Sequence, residues 1–402
     1  MGRTIALIGA LDTKADDFAF VARLIRERGH RPLLVNVGVM GRPGIRPDIP
    51  ASVVARAGGV GIRELRRRAD KSLAMEVMTR GVARVILRLF EAGKIDGVLA
   101  MGGSAGTAIG TAAMRALPLG VPKVMVSTVA AGDTAAYLGT RDIVMIPSVV
   151  DVAGVNRISA RVYANAVGAM VGMVETRKPR IEARPLLAAS MFGNTTPVVT
   201  RCVERMRAAG YETLVFHATG TGGRTMESLV AEGYIEGVLD ITTTEWADEV
   251  AGGVFSAGPG RGDAAASRGL PQVIVPGCVD MVNFFGRETV PPKYRKRRFY
   301  QWNPNVTLMR TTPAENVEIA RRLAEKANAS RGPVAVFLPL RGVSMLDAPG
   351  KEFWWPQADR ALFRTLEKCL RKDIPVIEMD CNINERAFAD AVAEKMLEFL
   401  AR

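Results

Sequence analysis

The sequence predicts an α/β protein with two consecutive Rossmann-like, doubly wound domains and mainly parallel sheets. Three observations support this fold class. Short aliphatic strands alternate with amphipathic helices, glycine-containing loops join many strands to the next helix, and the pattern restarts after a polar segment at residues 176–180. Apolar strands that alternate with helices are typical of parallel sheets covered on both faces.

The first half of the chain supplies the elements of one such domain. A strand pattern opens it at residues 4–8, and a long helical pattern at 73–91 has apolar residues every three or four positions. The segment 39–61 is rich in proline and glycine and is predicted as loop. The other predicted elements are helices at 16–28, 104–117 and 156–175 and strands at 33–37, 97–101, 123–127 and 142–146.

The second half repeats this rhythm. Because segment 176–180 is polar and contains a proline, we place the domain boundary there, giving domains at 1–180 and 181–402. The second domain has predicted strands at 185–192, 213–217, 237–241, 272–275, 334–338 and 376–379 and predicted helices at 196–209, 224–233, 315–329, 358–371 and 385–400.

Composition narrows the class of protein. The chain has 402 residues, of which 48% are hydrophobic and 24% charged, as in folded enzymes. It contains no apolar run of the roughly 18 residues that span a membrane, and we expect no secretion. The four cysteines have no C-x-x-C spacing, which argues against a dedicated metal site. We expect a cytoplasmic protein without membrane contact.

The net charge of +13, from 54 basic and 41 acidic residues, leaves two interpretations open. An excess of this size can indicate a polyanionic partner. It can equally reflect arginines on solvated helix faces, and the scattered positions of most of them favour this second interpretation.

The loop after the strand at 97–101 is the strongest candidate site. Gly102 and Gly103 lack the Cβ that would block a ligand, and Ser104, Gly106 and Thr107 offer hydroxyl and backbone N–H groups where a helix begins. The start of a helix attracts anions, so the loop predicts a phosphate or carboxylate cradle. The alternative is a tight turn that needs glycine only for packing.

Two further loops follow neighbouring strands of the first domain. Lys14 can reach a bound phosphate, while Asp12 and Thr13 can hold a ribose hydroxyl, a magnesium-bound water or the next helix. The second of these loops is segment 127–134, in which Thr128 and Asp133 are candidates for binding the cofactor. Asp133 can bind Mg²⁺ or a sugar hydroxyl, or it can cap a helix.

The second domain carries a comparable set of loops. Arg224, Arg261 and Arg341 follow strands and could clamp a carboxylate or phosphate, although a single arginine is more often a salt-bridge partner. His217 and Asp280 are the candidate catalytic residues because both stand at strand ends, whereas His30 is expected to be structural. The remaining candidates for binding a substrate are Gly220, Gly222, Gly223 and Thr243.

The segment from Arg287 to Trp302 mixes six basic residues with four aromatic residues. This mixture suits single-stranded nucleic acid, through phosphate contacts and base stacking. The alternative, which we favour, is a structural contact between domains or between subunits, with packed aromatic rings and paired arginines.

Many ordered motifs together resemble one family over nearly the whole chain. It is the family of uncharacterised bacterial and fungal proteins that share the N-terminal ATP-binding domain of the tomato mosaic virus resistance protein. The matching motifs are GALDTK at 9–14, MGGSAGT at 101–107, VSTVAAGDT at 126–134, FHATGTGGRTME at 216–227, VLDITTTE at 238–245, PGCVDMVNF at 276–284, NPNVTLMRTT at 303–312 and PLRGVSMLD at 339–347.

The resemblance implies ATP binding in the first domain and a homodimer. It implies that Asp12, Thr13 and Lys14 contact the nucleotide, joined by Arg80 from the long helix. It also implies that four residues of the second loop contact the nucleotide: Gly102, Gly103, Ser104 and Ala105.

We therefore expect a metabolic enzyme that uses ATP and Mg²⁺. A small acidic substrate would lie at the cleft between the domains, held by Thr243, Arg261 and Arg341, and the reaction would be phosphoryl transfer or activation of a carboxylate. A non-catalytic ATP-binding interaction module is the alternative, and a nucleic-acid binder is the second alternative.

Overall fold

The structure is a computed structural model that describes residues 2–177, 179 and 181–401. The chain divides into two compact units, residues 1–180 and 181–402. Each unit contains its own parallel sheet, so the predicted pair of Rossmann-like α/β domains is confirmed. None of the helices among the described residues is both long and apolar enough to cross a membrane.

The first unit contains five strands and seven helices among its described residues. The strands are β1 (Thr4–Gly9), β2 (Arg31–Asn36), β3 (Gly97–Gly102), β4 (Lys123–Ser127) and β5 (Val144–Pro147). The helices are α1 (Ala15–Glu27), α2 (Ala51–Ala57), α3 (Ile62–Arg68), α4 (Lys71–Glu91), α5 (Ser104–Arg115), α6 (Ala135–Leu138) and α7 (Ser159–Glu175). Helix α2 lies in the segment that was predicted as loop. Its sequence pattern did not reveal it, because the helix has only seven residues and prolines and glycines flank it.

The five strands form one parallel sheet in the order β2-β1-β3-β4-β5. The chain moves outward from β1 to β2 and then returns to place β3 on the other side of β1. Strand order therefore reverses between β1 and β3, and ligands of doubly wound sheets bind in the crevice at such a reversal.

Strand residues alternate between two cores, one on each face of this sheet. On β1, Ile5 and Leu7 pack with α1 and α7, whereas Ala6 and Ile8 pack with the helices on the opposite face. All four side chains are almost fully buried. The continuous apolar sequence of the strand thus follows from its being covered on both sides.

Helix α5 lies unusually close to the sheet where it crosses Gly110. A Cβ built on Gly110 would be 2.7 Å from the Cβ of Ala100 on β3 and 3.0 Å from the sulfur of Met125 on β4. This contact packs the middle of α5 directly against β3, the strand that leads into the loop at residues 102–107.

The second unit contains nine strands and seven α-helices among its described residues, besides three short 3-10 helices. The strands are β6 (Leu186–Met191), β7 (Glu212–His217), β8 (Gly237–Thr242), β9 (Gln272–Gly277), β10 (Met281–Phe284), β11 (Phe299–Asn303), β12 (Val306–Arg310), β13 (Val334–Pro339) and β14 (Val376–Met379). The helices are α8 (Thr196–Ala208), α9 (Thr221–Ala231), α10 (Glu245–Ala251), α11 (Asp263–Arg268), α12 (Pro313–Asn328), α13 (Pro356–Cys369) and α14 (Arg386–Leu400).

Six of these strands form a parallel sheet in the order β14-β13-β9-β8-β6-β7. The other three form a small antiparallel sheet in the order β10-β12-β11. This sheet was not predicted, because β10 and β12 read as parts of polar loops and β11 lies in the basic and aromatic segment.

All four cysteines of the chain lie in this unit and none is in a disulfide. Cys202, Cys278 and Cys381 are buried, whereas Cys369 is half-buried. Burial raises the pKa of Cys202 to about 12 and that of Cys278 well above its usual value. The buried thiols are therefore unreactive hydrophobic side chains in the folded protein.

We expect the change Gly110→Ala to destabilise the first unit by about 1–3 kcal/mol, because the new methyl group overlaps the sheet. Gly172→Ala is the matched control: Gly172 is on an exposed face of α7, and no atom lies within 4 Å of its added Cβ. That change should stabilise by roughly 0.5–1 kcal/mol, as usual for a helix glycine. Urea unfolding measures both; shifts of the same sign would contradict the close packing of α5.

Candidate functional site

A cavity of about 480 Å³ lies at the carboxyl ends of β1 and β3, where strand order reverses. We call it the cradle cavity. It brings together the two strand-end loops of the first unit that carry the strongest sequence signals. Its lining residues include Asp12, Thr13, Lys14, Gly102, Gly103, Ser104, Ala105, Gly106 and Asp151.

The first turn of α5 faces this cavity without a side-chain cap among the described residues. Gly103 occupies the N-cap position, and the backbone N–H groups that begin a helix have no partner within the helix. Together with the helix dipole they form a site for a negatively charged group. Thr107 stays behind this turn: its buried hydroxyl donates to the carbonyl of Gly103 and lies 2.6 Å from the hydroxyl of Ser127.

The two glycines before the helix have different functions. A Cβ on Gly102 would lie 2.9 Å from the Cα of Gly106, so Gly102 allows the strand and helix to meet. A Cβ on Gly103 would meet only the hydroxyl of Thr128, at an ordinary 3.6 Å. Gly103 is therefore not needed for packing, and its missing side chain leaves space in the cavity.

Lys14 and Asp12 place opposite charges on the wall of the cradle cavity. The ammonium of Lys14 is half-buried and donates to the carbonyl of Val152. Asp12 accepts one hydrogen bond at Oδ2 from the backbone N–H of Gly41, and its buried Oδ1 has no partner among the described residues. An ammonium and an unpartnered carboxylate oxygen suit a phosphate and a cation, respectively.

A second cavity, of about 380 Å³, continues from the cradle cavity and is mainly apolar. We call it the apolar cavity. The two cavities share Val37, Val39, Met40, Met75 and Ile109. Its further lining residues, which come from α3, α4 and the turn between them, are Leu65, Ala69, Asp70, Lys71, Ala74 and Met78.

Four expected ligand residues of the first unit do not line the cradle cavity: Thr107, which is described above, and three others. Arg80 binds the carbonyl of Gly58 through Nε and Nη2 and pairs with Glu76. Asp133 accepts a hydrogen bond from the backbone N–H of Ala135, the first residue of the short helix α6. Thr128 is exposed and lines a neighbouring cavity at the ends of β4 and β5.

The glycine-rich loop of the second unit has its own internal anion. The carboxylate of Glu245 accepts from the backbone N–H groups of Gly220, at 2.7 Å, and Gly223, at 3.0 Å. It lies so close that a Cβ on Gly223 would be 2.2 Å from Oε2. Glu245 is 1% exposed, so a carboxylate of the protein already binds the N–H groups of Gly220 and Gly223. The ligand contact expected at Gly220, Gly222 and Gly223 would require this carboxylate to move, and it stays a prediction.

Arg261 is also used internally rather than as a ligand clamp. Its guanidinium binds Glu245 at 2.8 Å and both oxygens of Asp240, and it lies 3.5 Å from Glu227. Arg261 is only 2% exposed, and these carboxylates hold its pKa above the usual value. Its guanidinium is nearly fully buried among three carboxylates of the protein, which disfavours the expected contact with an acidic substrate.

The other expected substrate residues of the second unit have local partners. Arg341 pairs with Asp380 through two contacts of 2.9 Å on the surface. Arg224 donates to the carbonyl of Ser256 and to the hydroxyl of Thr221. Thr243 is buried and donates to the carbonyl of Val275. These side chains support the loops on which they stand.

The two candidate catalytic residues have different surroundings. His217 is exposed and stacks on Phe192 with ring centroids 5.2 Å apart, and partial burial there lowers its pKa. Asp280 is fully buried, accepts a hydrogen bond from Ser344, and has an oxygen without a partner among the described residues. Burial and the charge of Asp347 raise its pKa. His30 is structural as expected, with ring contacts to the N–H of Arg3 and to Glu175.

Sequence patterns did not reveal the buried cluster around Arg310. Arg310 binds Asp359 at 2.7 Å and lies 3.5 Å from Asp347, and all three side chains are almost fully buried. Burial raises the pKa of both acids, because one guanidinium cannot compensate several carboxylates. Within the described residues these acids form no group of three that could hold a metal ion.

The basic and aromatic segment is packed against its own unit. Arg287 lies over the ring of Phe299 at 3.4 Å, and Arg297 pairs with Glu315 at 2.6 Å. The hydroxyl of Tyr294 donates to the carbonyl of Ala251. These rings and arginines make their contacts within the second unit, and the expected contact between domains or between subunits stays a prediction.

These features define a two-unit α/β protein in which one glycine-rich helix start lines a cavity in the first unit and another binds Glu245 in the second. The chain belongs to an uncharacterised protein family, UPF0261. The model of that family's N-terminal domain matches residues 3–179, and the model of its C-terminal domain matches residues 184–400.

Relatives extend over the full chain. A UPF0261 protein of Clostridium tetani is 47% identical over 404 residues and covers 100% of both chains. The ToMV resistance protein Tm-1(GCR237) of Solanum lycopersicum is 39% identical, covering 97% of this chain and 55% of its own. A solved structure of UDP-N-acetylglucosamine 2-epimerase from Rickettsia bellii covers 100% of this chain and 96% of its own at 12% identity and a TM-score of 0.24.

We expect Glu245→Ala to destabilise the second unit by about 3–5 kcal/mol, because it leaves the buried Nε of Arg261 and two backbone N–H groups without their acceptor. Asp380→Ala is the matched control, since it removes the acid of an exposed arginine pair and should change little. Thermal and urea unfolding measure both. Equal effects of the two changes would show that Glu245 does not fill the loop.

Proposed function

We propose that the first unit binds ATP with Mg²⁺ and is the nucleotide site of a metabolic enzyme. The observation that carries the proposal is the uncapped start of α5, which lines the cradle cavity beside Lys14. Helix starts of this kind bind phosphate groups, and a lysine adds a point charge for them. The identity of the nucleotide rests on the family resemblance of the loops at 9–14 and 101–107.

The contrast between the two units supports this location. The corresponding loop of the second unit holds Glu245, so the protein itself provides the anion that such a loop requires. At α5 no described side chain does this, and a phosphate would complete the same arrangement.

The apolar cavity is the proposed binding site for the adenine base of ATP. It adjoins the cradle cavity and presents methionine and aliphatic side chains, among them Met40, Met75 and Leu65. A purine is flat and mainly apolar on its faces, and methionine side chains adapt to such surfaces. Asp70 and Lys71 also line this cavity, where the carboxylate can accept a hydrogen bond from the exocyclic amino group of adenine and the ammonium can donate one to a ring nitrogen.

The residues present fit a magnesium ion that arrives with the nucleotide. Mg²⁺ is usually held by one or two carboxylates together with phosphate oxygens and water. Asp12, whose Oδ1 has no partner among the described residues, lines the cradle cavity. When bound, the ion would neutralise phosphate charge, and Asp12 would hold it.

The proposed enzyme does not depend on the arginines that were expected to hold an acidic substrate. Arg261 and Arg341 already bind the protein's own carboxylates. A non-catalytic ATP-binding module remains the alternative, and turnover of ATP separates the two. The homodimer implied by the family resemblance stays part of the proposal and can be measured by light scattering.

We expect Gly103→Val to abolish ATP binding while the fold is kept. The added side chain would project into the cradle cavity, and its Cβ has no contact closer than 3.6 Å. Isothermal titration of the full chain with ATP and Mg²⁺ measures the affinity, and the unfolding temperature checks the fold. Undiminished affinity in this variant would exclude the loop as the phosphate site.

We expect Lys14→Ala to weaken ATP far more than adenosine, because the ammonium interacts with phosphates. A charge-assisted contact predicts a loss of affinity of about tenfold to a hundredfold. Lys94→Ala, which changes an exposed lysine of the same unit away from the cavity, is the control. Equal losses for ATP and adenosine would show that Lys14 acts through folding.

A further inference from the structure

A cavity of about 400 Å³ lies beside the cradle cavity at the carboxyl ends of β4 and β5. We call it the side cavity. Its walls come from the segments 127–131 and 147–151, which follow those two strands. Asp151 lines both the side cavity and the cradle cavity. A molecule in one cavity would therefore meet the contents of the other at this carboxylate.

The wall of the side cavity contains a polar group that lacks a partner. Ser148 is 2% exposed, and its hydroxyl has no hydrogen-bond partner among the described residues. Buried hydroxyls nearly always have a partner, because leaving one unsatisfied is costly. A ligand with hydroxyl groups would supply the missing hydrogen bond.

The next residue is held in a strained conformation. Val149 has a φ of +66°, and its side chain is 75% exposed. The left-handed region is rarely adopted by β-branched residues, and such strain is concentrated at functional sites. Here the strained backbone connects Ser148, which is inside the wall, to Asp151, which is exposed.

Surrounding contacts hold Asp151 in place. The adjacent Val152 is fully buried, and its carbonyl accepts a hydrogen bond from Lys14. Two residues further along, the backbone N–H of Gly154 donates to Asp17 at 2.9 Å, and Asp17 also accepts from the hydroxyl of Tyr163. The carboxylate therefore extends from an anchored backbone between the two cavities.

The chemistry of the wall defines the ligand. Thr128 and Asp151 are exposed, and Ser127 is fixed by hydrogen bonds with Thr107 and with the N–H of Val129. Hydroxyl groups bind well to such a set of serine, threonine and aspartate. Asp151 is the one charged residue among the described lining residues, so an anionic ligand would be repelled.

We propose that the side cavity binds a neutral polyhydroxylated acceptor, a sugar or polyol, which receives the terminal phosphoryl group of ATP. The transfer step rests on the proposed function, whereas binding of the acceptor does not. The acceptor oxygen forms a bond to the terminal phosphorus as the bond from that phosphorus to the bridging oxygen of ADP breaks. Asp151 accepts the hydroxyl proton and later releases it to water.

Binding is tested first, by saturation-transfer NMR of the full chain with ribitol, mannitol, glucose and the anionic ribonate. At least one neutral compound should bind without nucleotide, and ribonate should bind at least about fivefold more weakly than ribitol. Ser148→Ala and Asp151→Asn should each weaken the neutral ligand about tenfold, whereas Ser72→Ala, which changes an exposed serine of α4, should not. Binding of none of the neutral compounds, or equal binding by all variants, would overturn the proposal.

Transfer is tested by ³¹P NMR with ATP, Mg²⁺ and the neutral compounds that bind. A phosphate monoester and ADP should appear in equal amounts, and Asp151→Asn should slow their formation at least about a hundredfold. Ser148→Ala should raise KM for the acceptor about tenfold, with ATP affinity within about twofold of the original. If ATP binds and none of the acceptors binds, this inference is wrong and the proposed function is unaffected. If an acceptor binds and ATP does not, the transfer step and the proposed function are wrong, and the acceptor site is retained.

Discussion

The backbone N–H groups at the start of a helix require a partner, and this requirement organises both units. A parallel strand that leads directly into a helix leaves these groups at the carboxyl edge of the sheet, where the dipole also attracts negative charge. In the second unit Glu245 meets the requirement and is buried as a result. A buried carboxylate in turn requires a cation, which is Arg261, and Arg261 also binds Asp240. In the first unit the same requirement at α5 is left open to the cavity.

Two loops with similar sequences therefore have different surroundings: the loop of the second unit binds a carboxylate of the protein, and the loop of the first unit lines a cavity. Buried ion pairs cost desolvation energy that their attraction only partly returns, so the cluster at Arg261 is better understood as fixing the positions of β8, α9 and α10 than as stabilising them. The cluster around Arg310 is of the same kind, with several carboxylates around one guanidinium. The second unit thus buries two clusters of charged side chains in which arginines pair with carboxylates. In the first unit, Lys14, Asp12 and Asp151 line a cavity instead.

The sequence predicted the elements that have long, uniform patterns. Buried strands such as β3 and long amphipathic helices such as α4 could be recognised because their residues are covered in a regular way. The antiparallel sheet β10-β12-β11 could not, since its strands are short and depend on each other for their pairing. The loops Gly102–Thr107 and Gly220–Arg224 read alike in sequence. What separates them is Glu245, which lies more than twenty residues from Gly220 in sequence and reaches it only through the fold.

The distribution of the thiols has a practical consequence for measuring stability. Because all four cysteines belong to the second unit, and three of them are buried, alkylation of those three can proceed only when that unit opens. The first unit contributes no thiol to such a reaction. The rate at which Cys202, Cys278 and Cys381 are alkylated therefore measures the opening of the second unit alone. Opening of the first unit does not change the mass of the labelled chain.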